Sequence, residues 1–159
     1  MKNKNLIMDC KLTYDLHERL SEHFILAEFL VSDYAYQHNI MNLPHSMDVV
    51  DNLRLLSRNV LEPLRGLLGR PLRITSGYRS ERLNKALHGA TRSQHLTGEA
   101  ADLYCRDSAA AEQIYRLIRD HLPFDQLILE NRWRTGTWWI HVSYTARRPL
   151  RRQQLYKLL

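Results

Sequence analysis

Glycine (6 residues) and proline (5 residues) are scarce in this 159-residue chain, which excludes a collagenous or low-complexity polymer. Cysteine occurs only twice, at Cys10 and Cys105. Two distant thiols make neither a disulfide framework nor a cysteine-rich zinc site, so both are expected free, in a reducing compartment. No apolar run reaches the roughly eighteen residues that cross a bilayer, so no membrane span is expected. The N-terminal stretch offers only Leu6-Ile7-Met8 as an apolar run, whereas a secretory signal needs about 7–15 such residues. No signal peptide is therefore read, and the expected location is the cytoplasm.

What is present fits one folded domain. Hydrophobic residues make up 44% and charged residues 25%, which excludes disorder as the main state. A chain of this length buries about 70% of its unfolded surface, enough for a core without staples. The net charge of +6 is unevenly spread. Residues 147–159 (RRPLRRQQLYKLL) hold five basic residues and no acid, leaving eighteen basic against seventeen acidic residues in the rest. This tail is expected as a solvated helix or arm able to contact an anionic polymer.

Periodicity supplies the elements. Residues 21–38 predict a helix with Phe24, Ile25, Phe29, Ala35 and Tyr36 on its apolar side, and Ser21 or Ser32 as caps. From Ser46, a plausible N-cap, Val49, Val50, Leu53, Leu56, Val60, Leu61, Leu64 and Leu68 recur at three- and four-residue steps as one buried stripe. Pro63 should kink that helix and Gly69 end it. Strands are expected at 72–76, 100–105, 124–130 and 138–144, with short helices at 80–87 and from Asp107 or Ser108 to about His121. Helices first and strands later indicate an α+β fold with a small antiparallel sheet and helices packed on it.

Two of the eight histidines stand out. His95 and Asp102 are separated by Gly98, which lets a loop fold over the strand that carries Asp102 between small neighbours. His141 lies in WWIHVSY, on the strand face opposite Ile140 and Val142. Two imidazoles and a carboxylate form a common catalytic zinc shell, which leaves a further position for water and brings that water's pKa to about 7. A satisfied core His–Asp hydrogen bond is the competing reading of the same residues.

The segments SGYRS (76–80), SQHLTGEAADL (93–103) and WIHVSY (139–144), together with Asn84, closely resemble the zinc D-alanyl-D-alanine carboxypeptidases, including single-domain phage-like members. Ser93, His95, Gly98, Ala100 and Asp102 match the family signature S-x-H-x-x-G-x-A-x-D. The resemblance implies the hedgehog/D,D-peptidase fold, with residues 1–20 as a lead-in, 21–146 as the peptidase-like domain and 147–159 as a basic tail. It implies one zinc ion on His95, Asp102 and His141, Arg79 steadying the scissile carbonyl or oxyanion, and Ser93 contacting substrate. Asn84 is expected to order its loop.

Several relatives carry an acid three residues before the last histidine; here that position is Trp138. Glu130 is the substitute. If the last two strands pair with Glu130 opposite Trp139 and Ile128 opposite His141, Glu130 shares the face of His141, roughly 7–8 Å away diagonally. A one-residue slip would turn it away. Without a metal role, Glu130 would pair with Arg132 or Arg134; Asp125 and Glu99 are weaker candidates for the base. Trp133, Trp138 and Trp139 are candidate cleft walls.

The implied activity is a zinc metallopeptidase cutting peptidoglycan stem peptides, as a carboxypeptidase or endopeptidase. The alternative is a zinc-containing binding module without turnover. No specific nucleic-acid partner is expected, the chain is expected to be monomeric, and the family implies release by lysis or in a phage particle.

Overall fold

Apolar periodicity organises the first half of the chain around helices and strict alternation organises the second half as a sheet. A computed structural model describes residues 13–159; Cys10 and Leu6-Ile7-Met8 lie outside the described residues. Helices α1 (Leu26–Leu30), α2 (Asp33–Gln37), α3 (Met47–Leu56) and α4 (Glu62–Leu68) precede strand β1 (Ile74–Ser76). Helix α5 (Glu81–Ala86), a 3-10 turn (Gln94–Thr97), β2 (Ala100–Cys105), α6 (Ser108–His121), β3 (Gln126–Arg132), β4 (Thr137–Ser143) and β5 (Gln153–Leu158) follow. Among the described residues, no helix is long and apolar enough to cross a membrane.

The helix expected over 21–38 is two shorter helices that begin only at Leu26, since residues 21–25, with Ser21 and Phe24, lie outside any helix and Ile25 bridges to Arg19. Val31 is extended, and the Ser32 side chain accepts from Ala35 N–H, which restarts the helix as α2. The break turns Tyr36 outward, 88% exposed, while Phe24, Phe29 and Ala35 stay buried. The long stripe from Val49 to Leu64 is buried as expected. Its kink is a π-helical turn over Ser57–Leu61, immediately before Pro63. Proline lacks an N–H and its ring crowds the carbonyl four residues back, so the chain widens by one residue upstream of it. Ser46 makes no side-chain cap, and Gly69 ends α4 in the left-handed conformation.

The sheet has the order β1-β2-β4-β3-β5. Strand β2 and helix α6 fall where the sequence places them, with Asp107 capping α6 through Ala110 N–H at 2.8 Å. The β3–β4 hairpin has the register derived above, Glu130 opposite Trp139 and Ile128 opposite His141. Its turn is shorter than the seven residues between the predicted strands. The basic C-terminal residues are neither helix nor free arm: β5 adds to the edge of β3 in parallel, so the sheet is mixed rather than wholly antiparallel.

Arginines paired with buried carboxylates fasten this last strand. Arg147 forks onto Glu99 at 2.8 and 2.5 Å. Arg148 and Arg151 both clasp Asp125, which also accepts the Arg151 backbone N–H at 2.9 Å. Glu99 and Asp125 are fully buried, so each carboxylate depends on its arginine for compensation.

One sheet face is core. Ala101, Leu103 and Cys105 of β2, Ile140 and Val142 of β4, and Leu127 and Leu129 of β3 are buried in the cluster that includes Ile114 and Ile118 of α6. The alternate residues, Asp102, His141, Trp139, Ile128 and Glu130, share the opposite face.

Candidate metal centre

Strand pairing brings two of the three expected ligands together. Asp102 of β2 lies directly opposite His141 of β4, and on its other side Asp102 pairs with Ser76 of β1. His95 arrives from the 3-10 turn, which Ser93 caps by accepting His95 N–H at 3.3 Å. Gly98 reverses the chain after that turn with φ +72, and a Cβ there would meet Val49 O at 2.5 Å. Only glycine fits both the conformation and the approach. At Gly77 a Cβ would come within 2.7 Å of the Phe29 backbone. That closeness lets Tyr78 N–H bond to Phe29 O at 2.8 Å and leaves the Gly77 carbonyl beside His95.

Hydrogen bonding orients the donor atoms. His95 Nδ1 lies 2.6 Å from the Gly77 carbonyl, which can only accept, so Nδ1 carries the proton and Nε2 presents its lone pair. That Nε2 lies 3.2 Å from Asp102 Oδ1, and His141 Nδ1 lies 3.0 Å from the same oxygen. The ring centroids are 5.1 Å apart, and His141 Nε2 is buried without a hydrogen-bond partner. Two imidazoles converging on one carboxylate oxygen form a donor set that a cation among them would stabilise. The spacing fits zinc: bonds of about 2.0–2.1 Å in a tetrahedral shell set neighbouring ligand atoms roughly 3.3 Å apart. The three residues are all buried and could hold such an ion.

The surrounding charges are graded. Burial opposes ionisation of Asp102, but His95 and His141 outweigh it and hold the carboxyl well below its usual range. Burial pushes the His141 imidazole down, against the pull of Asp102. Arg79 Nη2 grips Asp102 Oδ2 at 2.5 Å, and its Nε donates to Ser76 Oγ at 2.8 Å. The arginine is thus tied to the carboxylate as well as facing the cleft.

Glu130 stands on the same face, bonded to none of the three. Burial and the charge of Asp102 push its carboxyl up, against the opposing pull of Lys157 and His141. Its basic partner is Lys157 of β5, Nζ to Oε1 3.6 Å, and not Arg132 or Arg134. Glu99 and Asp125 are committed to arginines, and both carboxyls lie below their usual range: burial opposes this, but Arg147, and Arg148 with Arg151, prevail. Neither is free to move a proton.

Two lobes meet at the centre, sharing Arg79, Asp102 and Glu130. The first, about 390 Å³, includes Ser93 and is rich in cations. The second, about 470 Å³, is walled by Tyr104, Trp138 and Trp139. Trp133 sits in the β3–β4 turn, 67% exposed, and walls neither lobe. Asn84 donates to Ala90 O at 3.0 Å and so holds its loop. Sequence reasoning did not foresee Lys157 or Arg151 in the first lobe. The signal was the two-residue spacing of Leu155 and Lys157, which puts both on one strand face, hidden because their partner strand is remote in sequence.

A family model described as Peptidase M15 matches residues 22–143. No curated protein matches the chain.

Proposed function

The chain belongs to the peptidase M15 family of zinc D-Ala-D-Ala carboxypeptidases, and from that premise we propose that it hydrolyses peptide bonds of peptidoglycan stem peptides. The reading includes the hedgehog/D,D-peptidase fold for this α+β domain. The observation that carries it is the convergence of His95 Nε2 and His141 Nδ1 on Asp102 Oδ1, with a carboxylate of raised pKa on the same sheet face.

When bound, zinc supplies Lewis-acid activation of water and of the scissile carbonyl. His95, Asp102 and His141 would hold it, and Gly77 O fixes the His95 tautomer that makes this possible. Glu130 takes the proton from the attacking water and passes it to the leaving amine. A carboxyl pushed up by burial and by the charge of Asp102 is a stronger base once ionised, with Lys157 pulling the other way. Arg79, steadied by Asp102 and Ser76, places positive charge where the carbonyl oxygen becomes an oxyanion. Ser93, in the first lobe, contacts the substrate chain.

The second reading, a zinc-containing binding module without turnover, rests on Trp138, which cannot move a proton at a position where several relatives have an acid. Amine release from purified stem peptides, with zinc and after chelation, separates the two. Zinc-dependent release that falls at least about 100-fold in Glu130→Gln supports hydrolysis through Glu130. Tight peptide binding without any release supports the binding module.

A further inference from the structure

Beyond Arg79, Asp102 and Glu130, hydrolysis uses none of the residues that line the second lobe, a cavity of about 470 Å³. Strand register builds its floor. Tyr104 of β2 lies directly opposite Trp139 of β4, one two-residue step from the Asp102 and His141 pair on the same sheet face. A further step brings Thr137 opposite Arg132. Trp138 and Leu87 also line the lobe. The core lies on the other sheet face, under Leu103 and Ile140, so core packing does not account for Tyr104 and Trp139. Tyr104 is 40% exposed and Trp139 half-buried.

Two guanidiniums flank this floor. Arg73 lies over the Tyr104 ring, 5.0 Å from its centroid, and Arg132 over the Trp139 ring at 5.9 Å. Both arginines are exposed, and neither is paired with a carboxylate among the described residues. A guanidinium stacked on a ring keeps its in-plane N–H groups free to donate beside that ring. The charged side chains lining the lobe cancel, Arg79 and Arg132 against Asp102 and Glu130. The lobe thus offers aromatic surface, hydrogen-bond donors and no net charge. An anionic strand finds no net field to hold it, and a plain apolar side chain leaves the donors unanswered. A neutral sugar ring answers all three: its C–H face packs on the negative face of an aromatic ring, and its hydroxyl and acetamido oxygens accept from guanidinium.

The spacing agrees with this ligand. A two-residue step along a strand is about 6.6 Å, so the Tyr104 and Trp139 row lies about 7 Å from the metal row, and Thr137 with Arg132 about 13 Å. An extended peptide covers that span with about two to four residues. A sugar on the floor is therefore joined to the scissile bond by a short peptide.

We propose that the Tyr104 and Trp139 floor, with Arg73 and Arg132 at its edges, is a carbohydrate-binding site that selects stem peptides still attached to their glycan. The proposal rests on the peptidase reading and names its substrate class, a glycopeptide in place of a free peptide.

Zinc-loaded enzyme is assayed on one stem peptide in two forms, free and joined at its N-terminus to an N-acetylated disaccharide. The glycopeptide should show a KM about tenfold lower with kcat within about twofold, because the sugar contacts are the same in the ground and transition states. Tyr104→Val, which suits a strand, and the exposed Arg132→Gln should each raise KM for the glycopeptide and bring the two substrates within about twofold of each other. Calorimetric titration of both peptides, and of the disaccharide alone, into Glu130→Gln protein reads the preference without turnover, with the glycopeptide bound about tenfold more tightly. Equal affinity for both peptides, an equal loss for both in Tyr104→Val and Arg132→Gln, or displacement of the glycopeptide by a phosphate-bearing polymer but not by the disaccharide overturns the proposal. Absence of cleavage with a retained preference for the glycopeptide in the titration instead overturns the peptidase reading and leaves this site standing.

Discussion

Replacing both Arg148 and Arg151 by methionine tests whether the basic C-terminal segment is part of the folded domain. Asp125 is fully buried and accepts from Arg148 Nη1 and Nη2 at 2.7 and 2.8 Å and from Arg151 Nη2 at 2.6 Å. Methionine retains most of the aliphatic packing and removes the charge. Stripping a buried carboxylate of its partners costs about 3–5 kcal/mol. The arginine side chains are 43% and 46% exposed, so water already screens the pairs and the low end, about 3 kcal/mol, applies. For a chain of this size that is a fall of about 6–12 °C in Tm at pH 7, measured by scanning calorimetry. Each single replacement should cost less than half of this, because the other guanidinium stays. Asp125→Asn in the double background should recover part of the loss, since the Arg151 backbone N–H still finds an acceptor. The folded-state pKa of Asp125 is lowered, so the stabilisation is complete above about pH 4, where unfolded carboxyls titrate, and is lost as pH falls through the folded value. The gap between wild type and the double variant should therefore close in acid. A double variant melting within 2 °C of wild type at pH 7, taking about that as the resolution of the scan, would show that Asp125 does not depend on these arginines.

Gly98→Ala should destabilise by about 3 kcal/mol or more in denaturant titration, because a side chain must adopt φ +72 and meet Val49 O at 2.5 Å; a change under about 1 kcal/mol would refute the packing argument. Glu130→Gln should melt no lower than wild type, since it removes a buried carboxyl whose pKa the fold raises; a clear drop in Tm would contradict that. Cys105 is 2% exposed and its thiol is pushed up to about 12 by burial. Alkylation followed by mass spectrometry should leave Cys105 unmodified at pH 8 until the chain unfolds; rapid native labelling would contradict its placement.

The parts of the fold that could be read from sequence are those with local signals. Asp107 before an amphipathic run gave α6, and alternation through WWIHVSY and FDQLILE gave the hairpin together with its register, which put Glu130 on the face of His141. The parts that could not be read depend on distant partners. Strand β5 pairs in parallel with β3, with the whole of β4 between them, so no turn announces it and its arginines resemble a solvated tail. The break at Val31 and Ser32 was masked because the apolar spacing continues across it. Likewise the two contacts that define the surroundings of the centre, Arg79 on Asp102 and Lys157 beside Glu130, join residues 23 and 27 positions apart, at no fixed spacing. The His95, Asp102 and His141 set was legible because the resemblance to a known peptidase family named it, and strand register then places two of the three side by side.

X-ray absorption at the zinc edge, on protein purified with stoichiometric zinc, tests the proposed metal centre most directly. The account predicts a first shell of nitrogen and oxygen at about 2.0–2.1 Å with the outer scattering of two imidazoles, reduced to one or abolished in His141→Ala. A wild-type spectrum without imidazole scattering, or one unchanged by His141→Ala, would contradict it.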